Sequence, residues 1–205
     1  MKRIMLLTGL LFVAAYAYAD SVQIELLGYQ SGGWQQGYPY SINVNGGPAF
    51  NAMCDDYAHG GTPGDKWMAN FTDLGTNNLD NVRFNQLGLT PYDEAGWILL
   101  QTQTIPQNQW TDMNIAVWYL FDANTPLDQG AQNWLNMAQQ EANKGFPGIN
   151  FHEVGIYTPV NQHDTDPNGP QEFLFINSTS TTPEPGTFIL LGTGLVGLLG
   201  RKLLS

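Results

Sequence analysis

The chain has 205 residues, with eighteen acidic against seven basic side chains and a formal net charge of −11, so it repels nucleic acid and anionic membrane surfaces. Six tryptophans and a hydrophobic content of 42% exclude a chain too polar to build a core. Its single cysteine, Cys54, excludes an intramolecular disulfide.

Met1, Lys2 and Arg3 form a positive n-region, residues 4–15 an apolar h-region, and Ala17 and Ala19 a small-x-small cleavage site before Asp20, which together spell a signal peptide over 1–19. Export places Cys54 in an oxidising setting, where it is a buried inert thiol, a reactive or intermolecular one, or one half of a covalent cross-link. Residues 21–28 alternate Val22, Ile24 and Leu26 with Gln23 and Glu25, the period of a strand with one buried face. Gly32 and Gly33 break it, residues 38–45 alternate again, and Gly46-Gly47-Pro48 turns the chain, so the domain opens with two strands in hairpin-like succession. Residues 50–57 carry Met53-Cys54-Asp55-Asp56-Tyr57, an apolar flank before the cysteine and two carboxylates after it. A turn cluster at 60–64 leads to a strand over 66–74, and residues 77–86 read as loop with a short element at 82–84.

At Thr90 the pattern becomes helical. Thr90-Pro91-Tyr92-Asp93 supplies a hydroxyl cap, a proline at the first helical position and an early acid, predicting a helix to about Thr104 that buries Ala95, Ile98, Leu99 and Ile105. Residues 109–121 end in a stretch, 113–121, that is apolar all round except for Asn114, the mark of a buried helix. Thr125-Pro126-Leu127-Asp128 repeats the start signal and predicts a third helix to Lys144, closed by Gly145. Strand patterns return at 151–160 and 171–177.

After a Ser/Thr linker at 178–182, Pro183, Glu184 and Pro185 precede an apolar run over 187–200 and a basic stop, Arg201 and Lys202. Prolines hold the chain extended, and a basic pair stays on the cytoplasmic side of a bilayer. Fourteen residues are short for a stable span, which usually takes ~20. This arrangement resembles the tripartite tail of PEP-CTERM exoproteins, and the resemblance implies a sorting peptidase of the exosortase type as partner, a Gram-negative envelope and a link to polysaccharide export. Without both signals, three cations, Lys66, Arg83 and Lys144, face seventeen acids, a net charge near −14.

The order strands, helices, strands predicts an α+β fold: a mainly antiparallel sheet or small barrel with an inserted three-helix group, flanked by the signal peptide and a short C-terminal transmembrane run. The predicted organisation is a signal peptide over 1–19, one globular exported domain over 20–177, a linker over 178–182 and the sorting signal over 183–205. Met53-Cys54-Asp55-Asp56-Tyr57, residues 92–99 and residues 113–122 together resemble the thioester domains of bacterial surface proteins. In that family a cysteine bonds to a glutamine that opens a Gln-x-Ala-Ile-Trp-like helix, giving an electrophile that captures amines. The resemblance carries the cysteine onto Cys54, the tryptophan onto Trp118 and the glutamine onto Asn114, where this sequence departs by one methylene. A Cys54–Asn114 bond would require the two backbones to approach by about a carbon–carbon length in a close-packed site.

Other chemistry is sparsely signalled. Residues 164–169 imitate the opening of a calcium loop, but Phe175 stands where its bidentate Glu belongs, so a polar turn is expected and no metal. His59, His152 and His163 lack zinc spacing, and no nucleophile elbow, HExxH or phosphate loop appears. Asp93 and Glu94 read as helix-start acids, and Trp34 or Trp67 as possible sugar-stacking rings, though core packing explains most tryptophans. No cofactor is implied. The expected function is a non-enzymatic exported surface or matrix protein, held in the inner membrane transiently or stably and associated with adhesion or exopolysaccharide; the alternative is covalent surface capture through Cys54.

Overall fold

The computed structural model describes residues 21–32, 35–161, 167 and 169–177. The signal-peptide sites Ala17 and Ala19, the residues Trp34, His163 and Asp164, and the whole sorting tail lie outside the described residues. Six strands, β1 (Val22–Gly32), β2 (Gln35–Val44), β3 (Phe50–Cys54), β4 (Lys66–Asp73), β5 (Val154–Pro159) and β6 (Phe173–Ile176), form a closed barrel in the order β1-β2-β3-β6-β5-β4. Every pairing is antiparallel. Three helices, α1 (Leu89–Gln101), α2 (Trp110–Phe121) and α3 (Gln129–Asn143), are inserted between β4 and β5, as the α+β reading expects.

Register sorts the strand residues into two faces. Ile24 pairs with Val44 and Trp67, Ile42 with Phe50, Ala52 with Phe175, and Cys54 with Phe173, so these side chains share the barrel interior. Met53, Leu174, Ile156 and Val154 have the opposite parity yet are fully buried. α1 packs on β6, and α2 on β2 and β3, so the helices cover that outer face. On β1, which no helix covers, the outer residues Gln23, Glu25 and Leu27 are half-buried or exposed. Two register shifts in β1, at Leu26/Gly28 and Tyr29/Gln30, bend the strand as closure requires.

The chain turns first at Asn45-Gly46, both at positive φ, where the Gly47 N–H donates to Val44 O at 2.9 Å, and residues 43–49 lie between the last β2–β3 pair, Ile42 and Phe50. The helix starts also differ from expectation. α1 begins at Leu89, one residue before Thr90, and its cap position is Gly88 at φ 80°, with no side-chain cap. α3 begins at Gln129 because Asp128 itself is the cap, its Oδ1 accepting the Ala131 N–H at 2.8 Å. The carboxylate reaches the free N–H groups, and Thr125 is left buried three residues upstream. Gly145 closes α3 as predicted: Phe146 N–H donates to Glu141 O and Gly145 N–H to Ala142 O, a Schellman pair. α1 ends at Gln101, so Ile105 lies beyond it and only half-buried. The short element expected at 82–84 is a 3-10 turn at Asn85–Leu87, and residues 151–153 form another before β5.

Candidate functional site

Cys54 ends β3, the strand wedged between β2 and β6, and its side chain is 0% exposed. The Asp56 N–H donates to its Sγ at 3.3 Å, and Sγ lies 3.4 Å from Asp56 O, so the chain curls around the sulfur. Asn114 stands one turn into α2, the helix whose apolar surround buries it completely. Its Nδ2 donates to the Cys54 main-chain oxygen at 2.7 Å, while its Oδ1 is buried without a partner. The structure therefore brings Cys54 and Asn114 together, with the carboxamide on the peptide group of Cys54. Trp118, one turn further along α2, faces the sulfur without closing a full hydrogen bond and packs its ring 5.4 Å from that of Tyr57.

Burial pushes the Cys54 thiol well above its ordinary range, and the neighbouring Asp56 and Asp55 carboxyls add to the shift. The Asp56 N–H and Trp118 act the other way and more weakly. A buried, protonated thiol is not a nucleophile for groups in bulk solvent. What this arrangement supports chemically is internal: a thiol and a carboxamide held side by side, screened from water.

Asp55 and Asp56, the two carboxylates that follow the cysteine, are both fully buried. Asp56 pairs with the buried Arg83 guanidinium and, at 2.7 Å, with His59 Nδ1. Arg83 also donates from Nη2 to Pro170 O at 2.9 Å and from its main-chain N–H to Glu172 Oε2 at 2.8 Å. Glu172 accepts from Tyr92 at 2.7 Å and from the Thr158 hydroxyl. Neither oxygen of Asp55 receives an N–H or O–H from another residue, and its carboxyl meets that of Glu172. Burial raises both groups, Asp55 well above its ordinary value and further through the Glu172 charge. Burial and the Glu172 charge together favour the protonated form of Asp55, whose oxygens have no hydrogen-bond partner among the described residues. The cluster lies on the outer face of the barrel under α1, directly after the cysteine.

Arg83, Glu172, Tyr92 and Thr158 escaped the sequence reading. Two signals were available: Arg83 is one of three cations in an acidic domain, and Glu172 opens an entirely apolar strand, where a carboxylate needs a partner. Asp93 and Glu94 do not serve a helix start; both are at least half-buried, and burial raises Asp93 to about 6. Trp67 stacks on Phe173 at 6.0 Å on the barrel interior, a core role. His59 joins the buried cluster, and His152 lies 3.0 Å from Asp73. Among the described residues no His, Cys, Asp and Glu group has metal-binding geometry, and no helix is long and apolar enough to cross a membrane.

Residues 181–202 match the PEP-CTERM protein-sorting motif, a stretch that contains Pro183, Glu184, Pro185, Arg201 and Lys202. No curated protein sequence matches the chain. Among solved structures, the chain is similar to the N-terminal domain of the Streptococcus pyogenes pilus tip adhesin Cpa, with 11% identity and a TM-score of 0.44, over 77% of this chain and 93% of that one. It is likewise similar to the N-terminal thioester domain of a surface protein from Clostridium perfringens, with 14% identity and a TM-score of 0.46, over 78% of this chain and 98% of that one. The class is thus an exported protein, built as an antiparallel barrel with three inserted helices. Its C-terminal motif is of the PEP-CTERM type, which implies processing by an exosortase-type sorting enzyme.

Proposed function

We propose that residues 20–177 are a non-enzymatic surface or matrix domain, delivered by the signal peptide over 1–19 with cleavage after Ala19. The chain is then held in the inner membrane through residues 187–200 until the sorting enzyme acts at the motif over 183–205, and the domain serves adhesion within an exopolysaccharide layer. The observation that carries this reading is the pairing of a matched sorting motif with a domain whose one thiol is fully buried and protonated. Fractionation of an exporting host tests it: wild-type chain reaches the envelope or medium, and a chain with Pro183, Glu184 and Pro185 replaced by alanine is retained in the inner membrane. Equal release of both chains would overturn the sorting role.

A second reading is favoured by one specific observation, the buried Asn114 carboxamide with an unpartnered Oδ1 beside Cys54. In it, Cys54 Sγ attacks the Asn114 side-chain carbonyl carbon, a C–S bond forms, and the carboxamide nitrogen leaves as ammonia with the thiol proton. An amine on a target surface then displaces the thiol, giving an amide and restoring Cys54–SH. Intact mass before and after methylamine separates the two readings. A deficit of one ammonia that methylamine converts to an adduct supports capture; a full mass with one unreactive thiol supports the passive domain.

A further inference from the structure

The barrel is open at the end where β3 begins, away from Cys54. A cavity of about 550 Å³ enters there, lined by Phe50, Phe71, Tyr157, Phe175, Ile176 and Asn177 among others, with no charged side chain in its wall. Tyr157 and Phe175 stack at 4.6 Å with their planes 5° apart, and Phe71 lies 5.8 Å from the first ring and 6.1 Å from the second. Gly155 makes room for this: a Cβ there would collide with the rings of Phe175 and Phe71. Phe71 has interior parity, yet 38% of it is exposed through the mouth. An uncharged aromatic basin of this size suits a neutral, apolar occupant, and it is out of keeping with a domain of net charge near −14.

The chain itself brings such an occupant to the mouth. β6 ends at Ile176, and Asn177, a lining residue, is followed by twenty-eight more residues. Nine of them, 178–186, precede the apolar run, and an extended stretch of that length reaches at most about 30 Å. The run opens with Phe188, Ile189, Leu190 and Leu191. A short tether holds its passenger at an effective concentration of about millimolar, an advantage that no free ligand shares. Entry of these side chains desolvates no charge. We propose that the barrel mouth is an intramolecular docking site for the leading residues of the apolar run, occupied whenever the run is outside a bilayer. The domain thereby shields its own sorting segment from water.

The test uses the full exported chain, dilute and free of detergent, with Phe71→p-benzoylphenylalanine as a photo-crosslinker. The expected product is a monomer cross-linked to a peptide from 187–200. The same probe at Val160, which is 53% exposed beyond the far end of β5, gives no such product. Adding phosphatidylcholine vesicles, which offer the run a bilayer, abolishes the cross-link. In a second measurement, chymotryptic cleavage at Phe188 and Leu190 accelerates about tenfold in Phe71→Asp, the factor that loss of a site with an intrinsic Kd of about 0.1 mM gives at an effective concentration of about 1 mM. Phe71→Ser serves if the aspartate variant unfolds. A cross-link found only between two copies, no cross-link to the tail, or equal cleavage rates in folded variants would each overturn the proposal.

Discussion

Arg83→Met is the sharpest perturbation of the cluster beneath α1. The guanidinium pairs with Asp56 and donates to Pro170 O, in surroundings from which water is excluded. Methionine preserves most of the side-chain volume and removes the charge, leaving the Asp56 carboxylate buried without its principal counter-ion. Breaking a buried pair from one side costs about 3–5 kcal/mol. For a domain of this size that loss lowers Tm by about 6–20 °C. Urea denaturation followed by tryptophan fluorescence measures it directly, because Trp67, Trp97, Trp110, Trp118 and Trp134 all lie in or against the core. The double variant Asp56→Asn with Arg83→Met regains about half of the loss, since no uncompensated charge then remains buried. A single-variant cost below about 1 kcal/mol would place the pair in the class of solvent-screened surface bridges and refute the reasoning.

Asp55 carries a folded-state pKa raised above its unfolded value, so its stabilising contribution is present in full below the ordinary carboxylate range and is lost as pH rises. Asp55→Asn, which carries no titrating carboxyl, therefore flattens the fall in urea midpoint as pH rises above the ordinary carboxylate range; an unchanged slope excludes Asp55 as its source. Asp93, raised to about 6 by burial, behaves in the same sense over a narrower window, and Asp93→Asn removes that part of the pH dependence. Asn114→Ala strips the Cys54 carbonyl of its donor and costs about 1–3 kcal/mol in urea denaturation. Cys54 is silent to an aromatic disulfide reagent in native protein and titrates as one thiol in denaturant; rapid native labelling would show an opening at β3 that the structure does not contain.

Periodicity carried most of the fold into the sequence. The alternation of Val22, Ile24 and Leu26 and the all-apolar surround of Asn114 report burial directly, because each element has one dominant environment. The caps of α1 and α3 were misread because proline and threonine preferences are weak beside the actual free N–H groups, which Asp128 reaches and Thr125 does not. The proximity of Cys54 and Asn114 was implied only by the resemblance of their local strings to thioester domains; no spacing or periodicity encodes it. The carboxylate cluster was not legible, since it joins residues 55, 83, 92, 158 and 172, and no local pattern encodes contacts across such separations. Asp55 and Asp56, adjacent in sequence and both buried, were nevertheless a visible warning that positive charge had to arrive from elsewhere.

The strand order has a consequence for export. β6 lies between β3 and β5 and is the last strand of the barrel, so until residue 176 has crossed the membrane two strand edges stand unpaired. Glu172, which answers both Arg83 and Tyr92, arrives with that same strand. The domain therefore has no complete folded form while any of it is still in transit. The matched motif begins at residue 181, five positions after the closing strand. Completion of the barrel and emergence of the address are thus almost one event, so a chain truncated or stalled before β6 presents no sorting signal at all.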